Sequence, residues 1–283
     1  IRNDIFELLY FNSKICPSFN IVSREKSTFI QDLFVESKGK LPIACKWLYQ
    51  SNSNVNNSLN DKNFQHISNE LNQKGYFIKK NFLSSNEITK IKKELQDFEY
   101  FSVKDIFKVF KLNDIKNDNL NSSVFASNLT SKLIKKNSNL NELLTSKFIE
   151  DVSRYYFECN PYLVGAVAFH TKPKNIETFD NAEKHMSAQF YHYDGSHLKF
   201  LKFFIYLNDI NEINDGAHSF IEGSHEGNLK LPVDKKDFEE AGLRRLDNGF
   251  YTGNVKNTWI SKNYSKKQIL NFCYPAGTLI IEN

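Results

Sequence analysis

The stretch Gln189-Phe190-Tyr191-His192-Tyr193-Asp194-Gly195-Ser196-His197 sets two metal-ligating side chains at the spacing of an extended chain. Alternate side chains of a strand point the same way, so His192 and Asp194 present an imidazole nitrogen and a carboxylate oxygen on one side. They are two of the three donors of a 2-His-1-carboxylate face, which leaves positions open on Fe(II) for an oxo-acid and dioxygen. Alone the spacing says little. With seven histidines in the chain, about 0.4 H-x-D matches arise by chance, so the neighbourhood has to decide.

Outward from this stretch the text is strand-like. Leu163 to Phe169, Phe200 to Leu207, His218 to Ile221 and Gly277 to Ile281 are short apolar runs bounded by Gly, Pro, Asn or Asp. Short strands without long helices between them argue for an antiparallel barrel or jelly roll in the C-terminal half. Upstream, a helical segment from Phe64 leads into a short strand, Gly75-Tyr76-Phe77-Ile78. Next, Ser84-Ser85-Asn86-Glu87 has the spacing of a capping box opening a helix from Ile88 to Phe98. Residues 101–150 are rich in Asn and Lys and read as two or three helices joined by polar turns.

Several of these elements fall in a recognisable order: the H-x-D pair, a strand ending Tyr206-Leu207-Asn208-Asp209, a turn at Asn214-Asp215-Gly216, and Gly223-Ser224-His225 closing the next strand. The sequence here resembles the phytanoyl-CoA dioxygenase family of Fe(II)/2-oxoglutarate oxygenases. Gly75-Tyr76-Phe77-Ile78 followed by Asn81-Phe82-Leu83-Ser84 looks like the family's entry strand and first helix, so the resemblance covers roughly residues 64–283. It implies an α+β protein whose double-stranded β-helix, a cupin-like jelly roll, is flanked by N-terminal helices. It implies further that Fe(II) and 2-oxoglutarate are the cofactors and His192 and Asp194 the metal ligands. No catalytic residue beyond these ligands is singled out.

The family's late strand resembles Pro275-Ala276-Gly277-Thr278-Leu279-Ile280-Ile281-Glu282-Asn283. Its distal histidine should then follow a few residues past Asn283, and an arginine for the 2-oxoglutarate carboxylate about ten residues later. The chain opens on Ile1 and stops after an apolar run, so the expectation is an oxygenase fragment cut before its third ligand. His225, His218 and His197 are weaker alternatives for that ligand, His225 matching a turn whose role is structural. Related halogenases lack the carboxylate, so Asp194 points to hydroxylation of a small or carrier-linked metabolite.

Lys202, Phe204 and Tyr206 share a face by alternation. Lys202 and Tyr206 are therefore candidate cofactor-binding residues, against the plainer reading of a solvent-facing lysine and a core tyrosine. His170, at the end of the strand before the H-x-D segment, and Gln189 are candidates for the substrate pocket. Residues 171–186 read as a lid, and the insertion 229–268, with Arg244, Arg245, Lys266 and Lys267, as a second substrate-facing region.

Composition sets the bounds. The 283 residues are 40% hydrophobic and 25% charged, with 25 Phe and 13 Tyr, enough apolar bulk for a core without disulfides. A net charge of +4 with interleaved signs gives no basic stripe for nucleic acid. No apolar run approaches the ~20 residues of a membrane span, and the first residues, Ile1 to Asp4, do not lead into the apolar stretch of a signal peptide. Cys16, Cys45, Cys159 and Cys273 lie far apart and read as reduced core residues of a cytoplasmic protein. A polar stretch at 50–58 separates an N-terminal helical extension of unassigned role, 1–60, from the oxygenase-like domain, 61–283. The expected partners are a small-molecule substrate and dioxygen. A non-catalytic jelly roll that binds a sugar or peptide is the competing reading.

Overall fold

The computed structural model describes residues 62–102, 108–115, 124–129, 138–157, 161, 163, 165–171, 191–192, 200–226, 235–241 and 254–283. The extension 1–60, its polar boundary stretch and, apart from Thr171, the lid expected at 171–186 lie outside them. In chain order the described elements are α1 (Lys62–Lys74), β1 (Tyr76–Lys79), α2 (Ser85–Leu95), β2 (Tyr100–Ser102), β3 (Val109–Phe110), α3 (Leu112–Ile115), β4 (Val124–Asn128), α4 (Asn139–Leu144), α5 (Lys147–Phe157), β5 (Val167–Thr171), β6 (Tyr191–His192), β7 (Lys202–Ile205), β8 (His218–Ile221), α6 (Lys235–Ala241), β9 (Asn254–Val255), α7 (Asn257–Asn263), β10 (Ile269–Phe272) and β11 (Leu279–Glu282).

Helix α2 begins where its capping chemistry puts it. The Ser84 main-chain N–H donates to Glu87 Oε2 at 2.7 Å, and the Glu87 N–H donates back to Ser84 Oγ at 3.3 Å. Each bond satisfies a helix-end donor that otherwise has no partner. Ile88, Ile91 and Leu95 of α2 are buried, a stripe of period 3.6 that packs on Leu83 and on Leu140 of α4.

The central sheet has the order β1-β11-β7, antiparallel throughout. Every residue of β11 is buried, which is why it reads as an unbroken apolar run rather than an alternation. One face, Leu279 and Ile281, packs on Ile67 and Leu71 of α1 and on Val152 and Tyr156 of α5. The other face carries Ile280 and Glu282. Gly277 holds the turn before β11 at φ +83°, and its carbonyl accepts from the Phe82 and Leu83 N–H groups at 2.8 and 3.1 Å. A Cβ there would lie 2.4 Å from the Leu83 carbonyl oxygen, so this approach requires glycine.

A two-stranded sheet, β10-β8, faces the central sheet. A four-stranded sheet, β3-β2-β4-β5, and a short pair, β6-β9, complete the strands. Helices and sheets are thus mixed as expected, but among the described residues these sheets do not close into one barrel. Strand β8 has the expected bounds, whereas the run expected over 163–169 becomes β5 at Val167–Thr171, beginning four residues later and ending two residues later. Residues 101–150 also differ from expectation. They hold β2 to β4 as well as helices, because strands of two to five residues are too short for alternation to stand out among Asn and Lys. Cys273 is a half-buried free thiol.

Candidate functional site

His192 is placed by the β6-β9 pair, with Tyr191 opposite Val255 and His192 opposite Asn254. The Tyr191 ring packs against the cluster of Ile221, Val255, Trp259, Ile260 and Tyr264, and its burial pushes the phenol above its ordinary pKa. That anchoring turns the neighbouring His192 to the exposed side of the strand. Asp194, Gln189 and His197 lie outside the described residues. An imidazole and a carboxylate two residues apart in the sequence suit Fe(II) as donors. Among the described residues, no group of three His, Cys, Asp or Glu converges on a metal-sized point.

His170 stands on β5 opposite Phe125 of β4. Thr171 of that strand reaches the Gly216 turn, where a Cβ on Gly216 would lie 3.1 Å from its Oγ1. The alternate residues Val167 and Phe169 are exposed, Phe169 at 63%. They continue a row that runs from Val109 through Phe101 and Ala126 across the four-stranded sheet.

Lys202 and Tyr206 lie on the inward face of the central sheet, as alternation along β7 requires. The Tyr206 hydroxyl donates to the Phe272 carbonyl and accepts from the His218 main-chain N–H, both at 2.9 Å. It thereby ties the central sheet to β10 and β8. Burial pushes this phenol up to about 12. Lys202 has its ammonium over the Phe200 ring, 6.0 Å from the centroid. His225 sits away from this interior, its Nε2 3.0 Å from the Asn72 carbonyl oxygen at the end of α1. That placement agrees with a structural part for the Gly-Ser-His turn.

The interior also holds a pair that motif reading passes over. His218 Nε2 is 2.8 Å from Glu282 Oε1 and 3.0 Å from Oε2. The imidazole stacks on Phe204 with ring centroids 4.4 Å apart. Glu282 is only 8% exposed. A glutamate ending an otherwise apolar strand is the signal in the sequence that could have found it, because a carboxylate is rarely buried without a partner.

The sequence profile of the family described as Phytanoyl-CoA dioxygenase (PhyH) matches residues 71–282. The chain belongs to the phytanoyl-CoA dioxygenase family. Proteins of that family are generally cupin-like, Fe(II)/2-oxoglutarate-dependent oxygenases, which act with dioxygen on small molecules. The match takes in every described element from within α1 to β11, and with them the H-x-D pair. No curated protein matches the chain. No solved structure does so either. No helix among the described residues is long and apolar enough to cross a membrane.

Proposed function

We propose that this phytanoyl-CoA dioxygenase family member is a hydroxylase of a small or carrier-linked metabolite, working in the cytoplasm on the double-stranded β-helix of its family. The observation that carries this reading is the placement of His192 on β6, turned away from the packed core, with Asp194 two residues on. His192 and Asp194 would hold Fe(II). Iron and 2-oxoglutarate together would supply the oxidation of a substrate C–H bond by dioxygen, with succinate and CO2 as co-products. Lys202 would offer its ammonium to the distal carboxylate of 2-oxoglutarate, with Tyr206 as the fixed wall beside it. His170 and Gln189 would face the substrate.

Cobalt is a spectroscopic stand-in for Fe(II), and its visible absorption under anaerobic titration tests the ligands. His192→Ala and Asp194→Ala should each weaken Co(II) binding by about tenfold or more, since each removes a donor atom. Binding unchanged in both variants would overturn the assignment. A metal-independent protein that retains a sugar or peptide would instead be the non-catalytic module.

A further inference from the structure

Strand β6 is short for a strand that carries a metal ligand. Among the described residues it forms a ladder with β9 alone, Tyr191 opposite Val255 and His192 opposite Asn254. A two-stranded ribbon is marginal by itself, whereas a metal ligand has to stand within about 0.2 Å of its bonding distance. Something further has to hold β6 in place.

Tyr191 supplies that hold. Its ring packs with Ile221 of β8 and with Trp259 and Ile260 of α7, and its hydroxyl is hydrogen-bonded to the Ser219 hydroxyl of β8. Ser219 Oγ donates in turn to Asn271 Oδ1 of β10 at 2.7 Å, and Ser219 and Asn271 stand opposite one another in the β10-β8 ladder. Each hydroxyl has one proton to give, so donation runs from Tyr191 to Ser219 to Asn271. This relay joins β6 to a sheet with which it shares no ladder among the described residues.

Alternation connects the relay to the ligand. Ser219 and Ile221 lie on the side of β8 that meets Tyr191, and successive residues of a strand face opposite ways. His192 therefore stands on the side of β6 away from Tyr191, where it is exposed. A hydroxyl fixed on one side of a two-residue strand sets the imidazole on the other.

We propose that Tyr191 is a positioning residue for the metal centre: through Ser219 and Asn271 its hydroxyl locks β6 to the β10-β8 sheet and so sets where the His192 imidazole stands when Fe(II) is bound. The proposal rests on the assignment of His192 as a ligand made above. It gives Ser219 and Asn271 a share in metal affinity.

Anaerobic Co(II) titration of the full chain reads the effect. Tyr191→Phe keeps the ring in its cluster and removes the hydroxyl. Co(II) affinity should then fall about tenfold, the size of effect typical when a group that orients a metal ligand is lost, and the visible Co(II) band should change shape. Ser219→Ala should cost as much and the double variant no more than either, because all three break one relay. Ser219→Thr keeps a hydroxyl and should stay within about threefold of the parent. Val152→Ala, in the core between α5 and the central sheet, lowers stability without touching the relay and should leave affinity and band unchanged.

Unchanged affinity in Tyr191→Phe, additive losses in the double variant, or a loss in Ser219→Thr as large as in Ser219→Ala overturns the proposal. An equal loss in Val152→Ala does so too, since general destabilisation would then be the cause. Should Tyr191→Phe fail to fold, Ser219→Ala carries the same test. A parent chain that binds no Co(II) sinks the metal-site reading itself, and the hold on β6 is then read without metal. The proton signals of the His192 ring, assigned by His192→Gln, should move in both Tyr191→Phe and Ser219→Ala, and unmoved signals overturn it.

Discussion

At the scale of single residues, Tyr206 concentrates two demands in one hydroxyl. It bridges the Phe272 carbonyl and the His218 N–H, and burial pushes its pKa up to about 12, against about 10 for an exposed phenol. The folded chain thus keeps the proton through a range in which the unfolded chain loses it. Linkage gives the sign: this contribution to stability is full below about pH 10 and is lost as pH rises toward 12. Tyr206→Phe removes the bridge, so it should cost about 1 kcal/mol near neutral pH. It should also flatten the alkaline loss. Chemical denaturation at pH 7 and pH 11 checks both, and an equally steep alkaline loss in the variant would assign the effect to other tyrosines.

Among elements, Gly277 shows how a turn fixes three segments at once. Its N–H donates to the Tyr206 carbonyl at 2.7 Å, and its own carbonyl receives the Phe82 and Leu83 N–H groups. Gly277→Ala meets both an unfavourable positive φ and the Leu83 carbonyl. It should lower stability by about 2 kcal/mol or more, read as a drop in denaturation midpoint. A midpoint within experimental error of the parent would show that the turn relaxes. Legibility in the sequence followed the same local chemistry. Ser84 and Glu87 announce the start of α2 because their side chains bond their own backbone, and His218 to Ile221 announces β8 because a short segment ending in Phe220 and Ile221 has turn residues on both sides. Strands β2 to β4 announce nothing, since their partners lie on other segments and pairing, not propensity, makes them strands. Of the candidate site, His192 stands out in the sequence by its spacing to Asp194. The His218–Glu282 pair does not, since no pattern within either segment says that β8 will face β11.

For the whole molecule, the family's cofactors should act as folding ligands. A species that binds only the folded chain stabilises it by mass action, about 2.7 kcal/mol at a hundredfold excess over its dissociation constant. Anaerobic Fe(II) or Co(II) with 2-oxoglutarate should therefore raise the melting temperature, and chelator should reverse the rise. No shift with metal and co-substrate together would count against the assigned chemistry. The order β1-β11-β7 carries a consequence for synthesis. The strand at the centre of the sheet is made last, and nearly all of the described chain separates Tyr76 from its partner Glu282. While the polypeptide is still emerging from the ribosome, β1 and β7 each present a bare edge to whatever is nearby, and the sheet assembles only after β11 is released. Such a nascent chain calls for chaperone cover until translation has passed β11, and its slow step should be the late insertion of that one strand between two waiting neighbours.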